Sequence, residues 1–251
     1  MDPTDLLIDL HLRQRRQGPG SDEATALALA LSGLKTDQHL KIADIGCGTG
    51  ASTLLLAGSL NADITAIDLF PAFLDELQRR AEADGLGERI TCAAASMDSL
   101  SFDEGSLDAI WSEGAIYNIG FENGIQAWRR YIKPGGILAV SELTWLTETR
   151  PSELTDHWNR EYPEVATASE KMRQLEMAGY IPVGYFPLAR ACWLDRYYLP
   201  LQARFEAFLE KHSGHAMAQE IINAEEAEIA LYERYADYVS YGFYIGRRFD
   251  D

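Results

Sequence analysis

The feature that most constrains this chain is a glycine-rich turn that follows a short apolar run. Residues 42–45 (IADI) read as a buried strand, and Gly46, Gly48 and Gly50 come next, ahead of a helix-forming stretch at residues 51–59. Glycine has no Cβ, so the backbone can turn tightly and approach a ligand closely. A helix that begins at such a turn directs its free N–H groups towards the same point. The pattern therefore predicts a strand, a ligand-binding turn and a helix, in that order.

From residue 41 onwards, short β-rich segments alternate with helical stretches, which is the pattern of a parallel sheet with crossover helices. We expect seven strands, at residues 41–45, 63–68, 90–93, 107–112, 136–142, 180–186 and 238–245. We expect helices between them at residues 51–59, 70–83, 121–131 and 166–178. The chain is thus predicted to form an α/β sheet with flanking helices.

Two regions fall outside this alternation. Residues 1–40 read as two helices broken by Gly18, Pro19 and Gly20, and we expect them to form an N-terminal helical lid. Residues 196–237 have a helical composition and are expected to form an insertion before the last strand. Both regions are predicted to cap the sheet, so that residues 1–251 form a single domain.

The charge of the chain restricts its partners. It has 22 Lys and Arg against 39 Asp and Glu, a formal net charge of -17. Such an excess of negative charge repels nucleic acids and anionic membrane surfaces, and we expect neither as a partner. The acidic start of the chain and the absence of a long apolar run predict neither an export signal nor a membrane span. A cytoplasmic protein is therefore expected.

An acidic residue follows the second predicted strand. Asp68 lies about 20 residues beyond Gly46, where a carboxylate can accept hydrogen bonds from the hydroxyl groups of an adenosine ribose. Gly46, Gly48 and Ala51 also fit the dinucleotide-binding fingerprint, so NAD is one candidate. Asp44 disfavours NAD, because an acid two residues before the first glycine would repel a pyrophosphate. An amino-acid ammonium group, or a hydrogen bond that orients the turn, suits this carboxylate better.

Several motifs resemble those of the class I S-adenosylmethionine-dependent methyltransferases. Residues 44–50 (DIGCGTG) are similar to the first motif of that family, residues 66–70 (AIDLF) to the second and residues 95–102 (ASMDSLSF) to the third. Ser96 stands where the family often has an acid, so we expect Asp98 to accept the hydrogen bond of the adenine amino group.

The resemblance continues beyond these three motifs. Residues 107–115 (LDAIWSEGA) are similar to the fourth strand of the family and residues 133–142 (KPGGILAVSE) to the fifth, so that the motifs cover about 100 residues in the family's order. Residues 16–25 and 112–121 resemble a bacterial subgroup of these methyltransferases, and this likeness supports the cofactor rather than a particular substrate. The resemblance implies a Rossmann-like, seven-stranded, mostly parallel sheet with an antiparallel last strand.

The resemblance also implies a set of residues that bind S-adenosylmethionine. The Asp68 carboxylate is expected to hold the ribose, and Met97 to supply backbone and an apolar contact to the adenine. Arg16 or Gln17 is expected to close over the carboxylate of the cofactor, although a solvated helix face also explains the arginines. The full predicted cofactor set is Arg16, Gln17, Asp44, Gly46, Cys47, Gly48, Thr49, Gly50, Asp68, Leu69, Met97, Asp98 and Glu113.

Methyl transfer is an in-line displacement, so alignment of the reacting atoms supplies much of the catalysis, and a base is needed only when the acceptor retains a proton. Glu113, Tyr117 and Glu142 follow the fourth and fifth predicted strands, at the end of the sheet where such folds bind ligands. They are the predicted catalytic residues, and Glu113 is the first choice. A structural role, such as an ion pair, is the alternative for both glutamates.

Aromatic residues are frequent near the C-terminus, for example Trp193, Tyr197 and Tyr241. Core packing is their expected role, and an acceptor pocket under a helical lid is the alternative. His212 and His215 lack nearby cysteines, and no metal site is predicted. The predicted function is methyl transfer from S-adenosylmethionine to a small-molecule acceptor. The alternatives are an NAD-dependent oxidoreductase and a non-catalytic module that binds S-adenosylmethionine, with a nucleic-acid or protein methyltransferase less favoured still.

Overall fold

Eight strands form one mixed sheet in the computed structural model, which describes residues 2–249. The strands are β1 (Leu40–Ile45), β2 (Ala62–Asp68), β3 (Ile90–Ala94), β4 (Leu107–Glu113), β5 (Ile132–Trp145), β6 (Ala166–Thr167), β7 (Tyr180–Pro187) and β8 (Val239–Arg248). Their order across the sheet is β3-β2-β1-β4-β5-β8-β7, and β6 pairs with β5 outside this path. Residues 1, 250 and 251, which the single-domain prediction includes, lie outside the described residues.

The pairing confirms the predicted mostly parallel sheet. β1 pairs in parallel with β2 and β4, and the parallel pairing extends to β3 on one side and β5 on the other. β8 is antiparallel to both β5 and β7, as the family resemblance implies for the last strand. From β1 the chain first adds β2 and β3 on one side and then crosses to β4 on the other side of β1. Open α/β sheets bind ligands at the carboxyl ends of the strands at such a point.

Helices cover both faces of the sheet. They are α1 (Pro3–His11), α2 (Asp22–Ser32), α3 (Ala51–Ser59), α4 (Pro71–Ala83), α5 (Phe121–Arg129), α6 (Ser152–Glu161), α7 (Ala168–Met177), α8 (Arg190–Trp193), α9 (Leu199–Gln202), α10 (Phe205–Lys211) and α11 (Ala216–Tyr235). Helix α6 is not among the helices expected from sequence. Its ten residues include two large apolar ones, Leu154 and Trp158, and are otherwise mostly polar, so the sequence alone does not mark it as a core-facing helix.

Burial explains why the central elements form. Five of the six residues of β1 are buried, which suits a strand that is covered on both faces. In α4, Pro71 occupies the first turn, where its fixed φ and missing N–H are tolerated. The buried residues of α4 recur every three or four positions, as Leu74, Leu77 and Ala81 illustrate, and this spacing makes one apolar face.

The N-terminal helices and the helices before β8 pack on the same face of the sheet. Leu10 of α1, Trp193 of α8 and Tyr232 of α11 belong to one buried cluster that also contains Trp111 of β4. This group of helices, α1, α2 and α8 to α11, is called the helical cap below. Among residues 2–249, no helix is long and apolar enough to cross a membrane.

Candidate active site

Hydrogen bonds fix the turn between β1 and α3. The N–H groups of Gly46 and Cys47 both donate to the carbonyl oxygen of Ile67 at the end of β2, at 2.8 and 3.0 Å, and Gly50 N donates to the Cys47 carbonyl at 2.9 Å. The φ angles of Gly46, Gly48 and Gly50 are +72°, +54° and +87°. Residues with a Cβ avoid this left-handed region, so the turn requires glycine at these three positions.

Neighbouring atoms leave no room for side chains in this turn. A Cβ on Gly46 would lie 2.3 Å from the Cβ of Ala115, and a Cβ on Gly48 would lie 2.3 Å from Oε1 of Gln17. Both glycines line a cavity of about 780 Å³ that begins at the turn and extends under the helical cap. The turn therefore presents bare backbone to this cavity, as the sequence predicts for a ligand-binding site.

Asp68 joins the end of β2 to the turn. Its Oδ2 accepts a hydrogen bond from Gly48 N at 2.9 Å, and its Oδ1 accepts one from Phe70 N at 3.0 Å. A carboxylate has about four acceptor positions, so two remain for hydroxyl groups of a ligand in the cavity. Burial raises the pKa of Asp68 above its ordinary value, which the backbone hydrogen bonds partly offset. The Asp68 side chain lines the cavity beside the turn.

Asp44 lies beneath the turn and is fully buried. Its Oδ2 accepts hydrogen bonds from the hydroxyl groups of Ser52 at 2.8 Å and Thr53 at 2.6 Å, in the first turn of α3. Burial raises the pKa of Asp44 to about 7, although both hydroxyl groups favour the charged form. The Asp44 carboxylate thus lies at the N-terminus of α3, which would otherwise attract an anion.

This pKa has a consequence for stability. Because the folded-state pKa of about 7 exceeds the ordinary 3.8, the stabilisation from protonating Asp44 is present below about pH 4 and is lost as the pH rises through about 7. The free energy of unfolding should fall between pH 5 and pH 8, by at most about 1.4 kcal/mol per pH unit from this group. Denaturant unfolding at several pH values should show a smaller slope in Asp44→Asn, and an unchanged slope would contradict this assignment.

Arg16 and Glu113 form a buried ion pair. Arg16 Nη1 donates to Glu113 Oε2 at 2.8 Å, and Arg16 Nη2 donates to the Thr25 hydroxyl at 3.1 Å and to Asp22 Oδ1 at 3.2 Å. Glu113 Oε1 accepts hydrogen bonds from the Thr25 hydroxyl at 2.7 Å and from Trp111 Nε1 at 2.9 Å. Glu113 therefore joins the end of β4 to the N-terminal segment, which is the ion-pair role that stood as the alternative to catalysis.

Gln17 holds the N-terminal segment against the glycine turn. Its Oε1 accepts a hydrogen bond from Thr49 N at 2.8 Å, and its Nε2 donates to the Thr49 hydroxyl at 3.0 Å. Arg80 of α4 donates to the Thr49 hydroxyl at 2.9 Å and to the Gln14 carbonyl at 2.9 Å. Gln17 lines the cavity, whereas Thr49 is fully buried and supports the turn from behind.

Most of the other predicted cofactor residues line the same cavity. Cys47, Leu69, Met97 and Asp98 all do so. The ring N–H of Trp128 donates to the Met97 carbonyl at 2.9 Å, which fixes the segment after β3. Leu69 is 60% exposed, an unusual position for a leucine and one that leaves its side chain free to cover a ligand.

The predicted catalytic residues do not all line the cavity. Tyr117 lines the cavity, and its ring packs edge-on against Tyr162 with the centroids 6.0 Å apart. Glu142 lies instead within β5, with its Oε1 3.7 Å from Nζ of the fully buried Lys171. Burial raises the pKa of Glu142 to about 7. The Glu142 carboxylate thus has a buried ion-pair partner on α7, which corresponds to the structural alternative.

The far end of the cavity contains residues that sequence reasoning did not select. They are Trp158, Glu161 and Tyr162 at the end of α6, and Glu225 and Glu228 on α11. The sequence feature that could have identified Glu225 and Glu228 is their spacing, because residues three apart share a helix face. Nothing local connects α6 with α11, and only the fold brings them together.

Comparison with known proteins agrees with this geometry. Residues 42–136 match the family model described as "Methyltransferase domain". An uncharacterized protein of Haemophilus influenzae is 28% identical over 53% of this chain and 53% of its own length. The sterol 24-C-methyltransferase erg6 of Aspergillus fumigatus is 25% identical over 51% of this chain and 32% of its own length. The chain thus spans about half or less of the length of these relatives.

Solved structures extend the likeness to the whole fold. A methyltransferase from Geobacter sulfurreducens, described as S-adenosylmethionine-dependent and solved with S-adenosylhomocysteine, superposes with a TM-score of 0.84. The alignment covers 96% of this chain and 97% of that one, at 20% sequence identity. Residues 42–136 therefore match a methyltransferase domain, and the chain as a whole has the fold of S-adenosylmethionine-dependent methyltransferases.

Proposed function

We propose that this protein transfers a methyl group from S-adenosylmethionine to a small-molecule acceptor in the cavity under the helical cap. The observation that carries the proposal is the turn after β1, where three glycines with left-handed φ present backbone to a cavity that Asp68 also lines. A Cβ in this turn would collide with Ala115, Gln17 or Leu77, so glycine lets these residues pack against the turn whose backbone lines the cavity. The match to a methyltransferase domain and the shared fold with structures solved with S-adenosylhomocysteine support S-adenosylmethionine as the ligand of this cavity.

S-adenosylmethionine, when bound, supplies an electrophilic methyl group on a sulfonium sulfur. The chain's own residues bind and orient it: the Asp68 carboxylate accepts hydrogen bonds from ribose hydroxyls, and the Met97 and Leu69 side chains cover the adenine. Asp98 accepts from the adenine amino group. The contribution of the protein is mainly alignment, because an in-line displacement gains most from holding the reacting atoms in position.

The buried ion pair gives Arg16 and Glu113 a positioning role in this proposal. Glu113 already accepts three hydrogen bonds, from Arg16, Thr25 and Trp111, so it is poorly suited to remove a proton from an acceptor. Its function is to keep the N-terminal segment closed over the turn, with Gln17 in contact with Thr49. Tyr117, which faces the cavity, remains the predicted residue for contact with the acceptor.

A dinucleotide suits the site less well. Pyrophosphates bind at the N-terminus of the helix that follows the glycine turn, where the helix dipole attracts negative charge. In this chain that end of α3 binds the Asp44 carboxylate through Ser52 and Thr53. Above about pH 7, where Asp44 is ionised, a second anion there would be repelled, which favours S-adenosylmethionine over NAD.

Replacing Asp68 with alanine should weaken binding of S-adenosylhomocysteine. Loss of the hydrogen bonds to the ribose should cost about 1 to 3 kcal/mol, a factor of about 5 to 150 in Kd. Calorimetric titration of the variant measures this directly. Asp63→Ala is the matched control, because Asp63 lies on the same strand but is 63% exposed at its side chain and pairs with His39. An unchanged Kd in Asp68→Ala would remove this residue from the site.

The transfer itself can be tested with a labelled methyl group. The protein is incubated with S-adenosylmethionine carrying a ¹³C-methyl group and a bacterial extract of small metabolites, and products are followed by NMR. We expect a new ¹³C-methyl resonance that needs active protein. Tight binding of S-adenosylhomocysteine together with no labelled product would favour the non-catalytic binding module instead.

We further infer a cytoplasmic location and an acceptor that is neither nucleic acid nor lipid surface. The net charge of -17 supports the exclusion of polyanionic partners. The three cysteines, Cys47, Cys92 and Cys192, are free, which suits a reducing compartment. Fractionation of cells that express the protein, followed by detection in the soluble and membrane fractions, tests the location.

A further inference from the structure

The end of the cavity that lies away from the glycine turn has aromatic walls. The walls are formed by Tyr117, Trp158, Tyr162, Trp193, Tyr197 and Tyr241. The rings pack against one another, for example Trp193 against Tyr241 with centroids 4.9 Å apart. The buried Trp158 Nε1 atom has no hydrogen-bond partner among residues 2–249. Aromatic faces carry partial negative charge, so a group of several such rings attracts a cation.

Three carboxylates line the same end of the cavity: Glu161 from α6, and Glu225 and Glu228 from α11. Within residues 2–249, Glu228 accepts one hydrogen bond, from the Tyr198 hydroxyl to Oε1 at 2.9 Å, which leaves Oε2 for a ligand. Glu225 Oε1 lies 3.7 Å from His11 Nε2. Burial and the nearby Glu225 and Glu161 charges raise the pKa of Glu228 above its ordinary value.

Positive charge is scarce around this cavity. Among residues 2–249, its lining contains two basic side chains, Arg16 and His11. Arg16 is already paired with Glu113 at 2.8 Å and with Asp22 at 3.2 Å. His11 stacks on Tyr197, with the ring centroids 6.3 Å apart, beside Glu225. A carboxylate or phosphate on the acceptor would therefore find repulsion and no free partner.

We infer that the acceptor is a small organic ammonium compound, whose positive charge is held by Glu228 and Glu225 and faces the aromatic walls. This inference rests on the proposed function and specifies its substrate class. The carboxylates supply the counter-charge, and the rings replace part of the hydration that an ammonium group loses on entering the cavity. Because the carboxylates belong to the helical cap, they lie on different elements from the residues that bind the cofactor.

Three probes of similar shape but different charge test the inference. They are choline, 3,3-dimethylbutan-1-ol and 3,3-dimethylbutanoate, which are positive, neutral and negative at pH 8. Each is titrated into protein saturated with S-adenosylhomocysteine, and binding is followed by tryptophan fluorescence because Trp158 and Trp193 line the cavity. We expect choline to bind at least about tenfold more tightly than the neutral alcohol, with the anion weakest.

Glu228→Gln should reduce the preference for choline over the alcohol to about threefold or less. The glutamine retains an acceptor for the Tyr198 hydroxyl, so the fold of the cap is preserved. Glu226→Gln is the matched control, since it removes the same charge from an exposed position on the same helix. It should keep the wild-type preference. A general loss of structure would weaken choline and the alcohol together, whereas loss of the charge weakens choline selectively.

Several results would overturn the inference: no detectable binding of choline, equal binding of choline and the alcohol, tighter binding of the anion, or an unchanged preference in Glu228→Gln. The state of the cofactor site separates this failure from failure of the proposed function. If S-adenosylhomocysteine binds but the order of the probes is wrong, the substrate class alone is incorrect. If S-adenosylhomocysteine does not bind, the proposed function itself is incorrect.

Discussion

Replacing Arg16 with methionine is expected to lower the free energy of unfolding by about 3 to 5 kcal/mol, the usual cost of removing one partner of a buried ion pair. The Arg16 side chain is 8% exposed and that of Glu113 is 9% exposed, so water can do little to solvate the charge that remains. Denaturant unfolding of wild type and variant measures this loss. The Kd for S-adenosylhomocysteine should rise as well, because Gln17 would lose its fixed position beside Thr49.

A second substitution separates loss of charge from loss of packing. The double variant Arg16→Met and Glu113→Gln should be more stable than Arg16→Met alone, since no unpaired charge is left inside the protein. The glutamine still offers an oxygen to Thr25 and Trp111. In the exposed pair of Arg234 and Glu153, Arg234→Met should cost about 1 kcal/mol or less. Equal losses for Arg16 and Arg234 would show that the buried pair does not hold the segment.

Replacing Gly46 with alanine should disrupt the turn itself. Its φ of +72° costs about 1 to 2 kcal/mol for a residue with a Cβ. The new Cβ would also lie 2.3 Å from the Cβ of Ala115, which cannot rotate away, and such overpacking costs about 1 to 3 kcal/mol more. We expect lower stability and a loss of S-adenosylhomocysteine binding of at least about tenfold. Thermal unfolding and calorimetry of the purified variant measure both.

Gly58→Ala is the matched control for this prediction. Gly58 lies in α3, has no atoms within 4 Å of a would-be Cβ, and has no left-handed φ. Alanine there should raise stability by up to about 1 kcal/mol, because it restricts the unfolded chain and favours the helix. If Gly46→Ala and Gly58→Ala had the same stability and the same affinity for S-adenosylhomocysteine, the turn would not require glycine at position 46.

Local pattern was sufficient to predict the seven longer strands of the sheet and the residues that line the cavity at the glycine turn. The three glycines and Asp68 lie at the ends of neighbouring strands β1 and β2, and the parallel arrangement brings those ends together. The positions of these residues in the sequence therefore predict that they lie close together in the fold. The same reasoning placed Met97 and Asp98 after β3, where both line the cavity.

The roles of the glutamates depend on contacts that no local pattern contains. Glu113 meets Arg16 across 97 positions of the chain, and Glu142 of β5 meets Lys171 of α7 only through the fold. The end of the cavity away from the glycine turn is built from α6, α11 and β8, which are distant in sequence. Helix α6 is mostly polar in composition, so its presence was not expected.

Calorimetric titration of the wild-type protein with S-adenosylhomocysteine and with NAD⁺ distinguishes a site for S-adenosylmethionine from a dinucleotide site. The turn, Asp68 and the Asp44 carboxylate at the start of α3 together predict saturable binding of S-adenosylhomocysteine at one site per chain, which Gly46→Ala weakens, and no saturable binding of NAD⁺. Saturable binding of NAD⁺ with none of S-adenosylhomocysteine would contradict the account.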